Sequence, residues 1–342
     1  MSCEIEEIAD PEALRSEWSD LCDRCPGTTP FQRPEWLLAW WRAFPPGEPR
    51  VLAIRHAGHL AGLAPFLVYP NEGKRTLAFC GGGVSDYLDI LIDPAEEAGA
   101  LAALASWLAD RRDLWEICDF EPLPPESPLL RLPLPPGCAE TTEPRDVCPV
   151  LTLPSTVEDL RTVVPTRQLS NLRKYRRKIE ALGDVRLETG HLEVLERLYA
   201  ARWTEKGRPD LAGNETIRNL LREAAAGFAA RGALAIHVLC LNNEPLAAVL
   251  AFRERDTLYD YRQGIDPAWA RLSPGVLVIG AAIEDAIRQG IRNLDFLRGQ
   301  EPYKYWWGAR DRITWRKRLC WKAPTRTTAP AAVAPSRRCG RG

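Results

Sequence analysis

The residues Ser273-Pro274-Gly275 head an apolar run with helical spacing. Ser273 stands where an N-cap is wanted and Pro274 where the first helical residue is wanted, while Gly275 lets a ligand approach the backbone closely. Amides at such a start, with the positive end of the helix dipole, receive an anion, and Arg271 just upstream adds a charged contact. The same residues also begin an ordinary core helix, so chemistry here needs company. Further on, Asp295, Glu301, Tyr303 and Lys304 fall within ten positions. Two carboxylates, a phenol and an ammonium are groups that move or hold protons. Each has a plainer use: Asp295 can cap a loop, Glu301 and Lys304 can pair, and Tyr303 can pack against Trp306.

Upstream, Arg167–Lys178 carries six positive charges in twelve residues, Arg173 and Arg177 among them. On a helix these cover most of the circumference, leaving Leu169, Leu172 and Ile179 on an apolar side. Such a helix is either a solvated face or an electropositive wall for an anionic substrate. Trp203 and Lys206 on the next helix complete an acceptor pocket, or are a buried ring and a surface cation. The triglycine at 81–83 lacks the Lys-Ser/Thr of a phosphate loop and reads as a tight turn. Asp86, Tyr87 and Asp89 beside it either line a cleft or begin a strand. Four histidines offer no nucleophile-base pairing, and Cys22-x-x-Cys25 has no second pair or histidine nearby, so no metal is expected.

These residues need a scaffold, and the pattern supplies one twice. In the first half, Pro34–Phe44 reads as a helix; Val51–Arg55, Leu60–Tyr69, Thr76–Phe79 and Tyr87–Ile92 as strands; Ala95–Arg111 as a helix; and Leu114–Phe120 as a strand. In the second, helices at Glu158–Val163, Thr166–Leu182, Leu192–Lys206 and Asn214–Arg231 precede an antiparallel meander, Leu234–Leu241, Leu246–Arg253 and Thr257–Ile265. Helix Pro274–Gln289 and strand Arg292–Leu297 follow. Ten prolines in 121–154 mark a connection. The expected division is a domain over 1–121, a Pro-rich linker over 122–149, a second domain over 150–322 and a disordered tail over 323–342.

Composition fits a globular enzyme of two domains: 342 residues, 45% hydrophobic, 12 Trp and one Met. A net charge of −1 argues against a general nucleic-acid binder. The acidic N-terminus and the lack of a long apolar run predict a cytoplasmic protein without a membrane span.

The chain also resembles the acetyltransferase domain of the BioF2-like and cellulose-biosynthesis CelD-like proteins, members of the GNAT superfamily related to the FemABX aminoacyltransferases. The resemblance rests on Gly264-Ile-Asp266-Pro267, Ser273-Pro274-Gly275, Gly290, Asp295-Phe296, Gly299, Glu301 and Tyr303-Lys304. Arg173–Arg177, Gly183, Arg202-Trp203 and Lys206-Gly207 add to it, as do Phe31–Trp36, Trp40, Gly62–Pro65 and Gly81 through Asp89 in the first half. It implies a mixed α/β chain of two tandem GNAT-like domains, each a largely antiparallel sheet flanked by helices. It further implies an N-acyltransferase that takes acetyl-CoA or another acyl-CoA at Arg271, Ser273 and Gly275. The implied acceptor is an amine on a sugar or small molecule, with exopolysaccharide or envelope synthesis as the pathway and polysaccharide-synthesis proteins as partners. For that chemistry Asp295 and Glu301 are the carboxylates that bind or deprotonate the amine, and Tyr303 is the acid for the thiolate. Trp203, Lys206, Lys304, Arg173 and Arg177 are the substrate contacts. The usual GNAT phosphate loop, an Arg/Gln-x-x-Gly-x-Gly/Ala pattern, is replaced here by Arg271-Leu-Ser-Pro-Gly275-Val. FemABX relatives use aminoacyl-tRNA at a similar fold, so tRNA is the one nucleic acid to consider. A third alternative is a catalytically inactive accessory protein of polysaccharide synthesis.

Overall fold

The computed structural model describes residues 3–44, 47–208 and 213–322; the expected tail over 323–342 lies outside them. Among the described residues thirteen strands form one sheet. Nine of them fall on the segments expected from the sequence, and four, over Glu4–Ile8, Cys138–Thr152, Val185–Thr189 and Arg310–Trp321, were not expected. In the first half β1 (Glu4–Ile8), β2 (Glu48–His56), β3 (His59–Asn71) and β4 (Lys74–Phe79) pair antiparallel in order, and β6 (Ile117–Leu123) lies parallel to β4. The second half repeats the plan. β8 (Val185–Thr189), β9 (Leu234–Leu241), β10 (Glu244–Glu254) and β11 (Thr257–Ile265) are antiparallel, and β12 (Asn293–Asp295) lies parallel to β11. The expected strand Tyr87–Ile92 shrinks to β5 (Leu91–Ile92), paired with β3, because the residues before it bend into the interior.

Two long strands join the halves. β7 (Cys138–Thr152) pairs with β12 and with β13 (Arg310–Trp321), and β13 pairs with β6. The 122–149 segment therefore does more than connect, since from Cys138 on it is central sheet. Pro144 faces a register shift between Ile313 and Trp315, the one kind of place where a central strand tolerates a missing donor. The last strand of the described residues, β13, thus completes the sheet of the first half.

Helices cover both faces. On one lie α1 (Arg15–Arg24), α2 (Pro34–Ala43), α5 (Leu192–Glu205) and α6 (Glu215–Ala230), which share a single core built around Trp36, Phe228, Phe252 and Tyr259. On the other, α3 (Glu97–Ala109) covers the first half, while α4 (Thr166–Glu180) and α7 (Pro274–Arg288) cover the second. Within the shared core Arg33 donates to both carboxylate oxygens of Glu254, at 2.8 and 2.5 Å. Both side chains are nearly inaccessible, so each needs the other. No helix among the described residues is long and apolar enough to cross a membrane.

Candidate functional site

Parallel strands that diverge leave a cleft. β12 ends at Asp295, opposite Tyr259, while β11 runs on to Ile265 paired with β10 on its other side. In the first half the equivalent gap beside β6 is filled by the chain itself: buried Leu88 packs into the core and bonds the Pro122 carbonyl. The triglycine there is the expected tight turn, with the Ser85 hydroxyl donating to the Gly81 carbonyl at 2.7 Å. Only the second half keeps its cleft open at this position.

The cleft has two connected parts. One, of about 250 Å³, is mostly apolar and runs along the start of α7 past Ile265, Ser273, Pro274, Gly275 and Trp307. The other, of about 580 Å³, lies between the halves and is lined by Asp86, Trp203, Lys206, Asp260, Arg298 and Glu301, among others. Arg202, Gln263 and Tyr303 border both. Tyr303 comes from α8 (Pro302–Trp306) and packs edge-on against Phe296.

The joint between the two parts holds a group that sequence reading missed. Asp260 is almost wholly buried and lines the larger part. Its Oδ2 accepts a 2.6 Å bond from Gln263 Nε2, which also donates to Tyr303 Oη at 3.1 Å. Oδ1 has no partner among the described residues. Burial pushes its pKa up to about 6, against the lowering effect of Gln263. A carboxylate of that basicity with a free oxygen is suited to take a proton near neutral pH. Burial also raises the Tyr303 phenol, helped by Asp260 and Glu301, so it stays a hydroxyl able to donate. The signal that would have revealed Asp260 is a carboxylate inside a strand whose neighbours, Tyr259 and Tyr261, are aromatic.

Of the expected site residues, Glu301, Tyr303, Trp203, Lys206 and Lys304 do line the larger part of the cleft, as does Asp86. The Trp203 indole Nε1 is buried without a partner among the described residues, and the Lys206 ammonium sits 5.2 Å from the centre of its ring. Ser273 and Gly275 line the smaller part.

Others are placed differently. Asp295 faces away, its oxygens bonded to the Tyr87 hydroxyl at 2.7 Å and the Leu297 amide at 2.8 Å, so it caps a loop instead of touching the cleft. Lys304 spends its ammonium on the carbonyls of Leu297, Arg298 and Gly299 at 2.9–3.0 Å, and on Glu301, so it braces the loop and has no proton left for a substrate. Burial alone would raise Glu301, but the Lys304 bond, a backbone hydrogen bond and the charges of Lys304 and Arg202 together hold the carboxyl below its ordinary range. Ser273 is no side-chain cap: it adopts a left-handed φ of 53° and its hydroxyl makes no capping bond. Arg271, Arg173 and Arg177 are exposed and line neither part of the cleft. On α4, Gln168, Leu172 and Ile179 turn into the core, Arg176 pairs with Glu284 at 2.7 Å, and the other cations are exposed.

Residues 166–305 match the model of the acetyltransferase (GNAT) domain family. No curated protein matches the chain. Among solved structures it is similar to FemX, at 11% identity and a TM-score of 0.66 over 92% of this chain and 96% of that one. It is also similar to a conserved protein of unknown function from Bacteroides thetaiotaomicron (13%, TM-score 0.60, 94% and 100%) and to L-PGS from Bacillus licheniformis (13%, TM-score 0.57, 92% and 93%). At these identities the likeness is one of fold, and it extends over both halves. The chain carries a GNAT-type domain, which places its activity among the N-acyltransferases.

Proposed function

We propose that the protein transfers an acyl group from acyl-CoA to an amine held between the halves, with Asp260 as the base. The observation that carries this is buried Asp260, which lines the larger part of the cleft, has one oxygen without a partner among the described residues, and shares Gln263 with Tyr303. The acyl chain and its thioester lie along the apolar slot at the start of α7, and the amine enters past Trp203 and Arg202. Asp260 accepts the ammonium proton and later releases it to solvent. The free amine attacks the acyl carbon, the carbon–sulfur bond breaks, and the Tyr303 hydroxyl protonates the departing thiolate while the second proton of the amine nitrogen restores the phenol. Gln263 holds the two proton-transfer groups in register.

An amine on a sugar or small metabolite of exopolysaccharide or envelope synthesis is the acceptor proposed here, on sequence resemblance alone, as is a place in the BioF2-like and CelD-like group. The likeness of fold to FemX, which spans both halves, together with the sequence resemblance to the FemABX aminoacyltransferases, supports a second reading, in which the donor is an aminoacyl-tRNA. Calorimetric titration with acetyl-CoA at two salt concentrations separates them. Saturable binding that is lost in Gly275→Asp supports the CoA reading, since an added Cβ there meets Ile265 Cδ1 at 2.7 Å and brings a negative charge into the slot. No binding of CoA, with salt-steep binding of tRNA, supports the other.

A further inference from the structure

A second cavity, of about 600 Å³, lies toward the first residues of β11, apart from the cleft described above. Its volume is in the range of small-molecule sites, and both halves build it: Gly27, Asp89 and Ser127 from one, Tyr259, Asp295 and Arg312 from the other. Its charge is unbalanced, with four carboxylates, Asp89, Glu97, Glu126 and Asp295, facing two guanidinium groups, Arg131 and Arg312. Arg131 is taken by Glu97 at 2.7 and 3.0 Å. Arg312 is taken by Glu126 at 2.7 Å, with Nη1 3.8 Å from Asp295.

Asp89 is left without a cation. It is 7% exposed, and its Oδ1 accepts from the Ser127 hydroxyl at 2.7 Å and the Ile90 amide at 2.9 Å. Oδ2 takes no hydrogen bond from any described residue. Burial pushes the Asp89 carboxyl up to about 8, opposed by the Ser127 bond. The Tyr259 ring and the side chains of Pro94 and Pro124 supply an apolar wall. We infer that this cavity binds a small organic cation, an amine on a short carbon chain, with its ammonium on Asp89. The chain methylenes lie along the proline and tyrosine wall, and Asp295 deepens the negative potential from behind.

The charged groups facing Asp89 are Glu126 and Arg131 beside it, Glu97 on Arg131, and Asp295 and Arg312 across the cavity. An ammonium arriving below pH 8 displaces the Asp89 proton, so affinity drops as the solution is acidified, by up to about tenfold per pH unit. Calorimetric titration of the full chain with 1,5-diaminopentane and with 1,5-pentanediol, between pH 6.5 and 9, tests this. The diamine is expected to bind saturably and more tightly at the alkaline end, and the diol not to bind. Asp89→Asn weakens the diamine by at least about tenfold. Gly27→Trp does the same from an exposed position where an added Cβ meets no atom within 4 Å, so it reports even if Asp89→Asn misfolds. Asp260→Asn leaves this binding unchanged. Absence of diamine binding throughout, or binding that survives both Asp89→Asn and Gly27→Trp, overturns the inference. So does binding lost in Asp260→Asn and kept in Asp89→Asn, which assigns the amine to the acceptor cleft instead.

Discussion

Gln263 stands three residues beyond Asp260 on the same strand, yet its Nε2 lies 2.6 Å from the Asp260 carboxylate. In a regular strand an odd separation sends two side chains to opposite faces. Here Arg262 pairs with Leu250 and Asp260 with Ala251, which leaves Tyr261 as an extra residue without a partner. The bulge absorbs one residue, so Asp260 and Gln263 return to the same face while Gly264 turns toward Leu198 of α5. Tyr261 is held in place by its hydroxyl bond to the Val84 carbonyl at 2.9 Å and by its packing on Trp36. The aromatic core thus sets the geometry of the proton-transfer pair.

Asp260→Asn removes the base and keeps the shape. Turnover is expected to fall by about 10²–10⁴-fold, with donor affinity unchanged by calorimetry. In the unsubstituted enzyme kcat/KM rises as pH passes about 6, where the buried carboxyl loses its proton. That rise is absent from the residual activity of the variant. A rise near pH 6 that persists in Asp260→Asn assigns the titrating base elsewhere.

Gln263→Leu tests the coupling. The Gln263 bond lowers the Asp260 pKa against burial, so its removal moves the inflection of the pH–rate profile upward from about 6. A profile that stays put, with lower activity, makes Gln263 a substrate contact instead of a positioning residue.

How much of this was legible from sequence differs by residue. The apolar meanders and α7 announce themselves by periodicity, and both halves were visible for that reason. β13 was not, because Arg310, Arg312, Arg316, Lys317 and Arg318 break up the apolar alternation that marks the other strands. In the sheet those charges are met by partners on neighbouring strands: Arg316 by Asp119 at 2.7 and 2.6 Å, Lys317 by Glu140 at 3.0 Å. Spacing located the Glu301–Lys304 cluster but left its direction open. Strict alternation sets Asp260 and Gln263 on opposite faces, and only the three-dimensional register reveals the bulge that unites them. Asp295, the carboxylate favoured from sequence, belongs to the loop and to Tyr87.

Lys304→Met is expected to destabilise the protein. Three carbonyls and a carboxylate lose one buried ammonium, and leaving such groups unpaired costs about 1–3 kcal/mol each at most, a few kcal/mol together. Thermal unfolding reads the loss directly. Faster amide exchange confined to the 297–301 loop is expected beside it, since that loop is what the ammonium ties together.

Arg33→Met breaks the pair that joins α2 to β10 and leaves Glu254 buried alone. The expected cost is about 3–5 kcal/mol, seen as a lower denaturant midpoint. The double variant Arg33→Met, Glu254→Leu recovers much of it, because the penalty lies in the orphaned charge. Failure of the double variant to recover points to packing of the Arg33 stem as the larger contribution.

Buried acids also set the pH dependence of stability. Asp89, at about 8, and Asp295 and Asp260, at about 6, are all raised by burial above the ordinary carboxylate range. A raised carboxyl binds its proton more tightly folded than unfolded, so stability is greatest at low pH on this account and declines as pH climbs from about 4 toward the folded value. Between pH 6.5 and 8 Asp89 is the one of the three still releasing its proton. The melting temperature is therefore expected to fall across that window in the unsubstituted protein and to stay flatter in Asp89→Asn, where no proton is lost. An equal slope in both proteins excludes Asp89 as the titrating group.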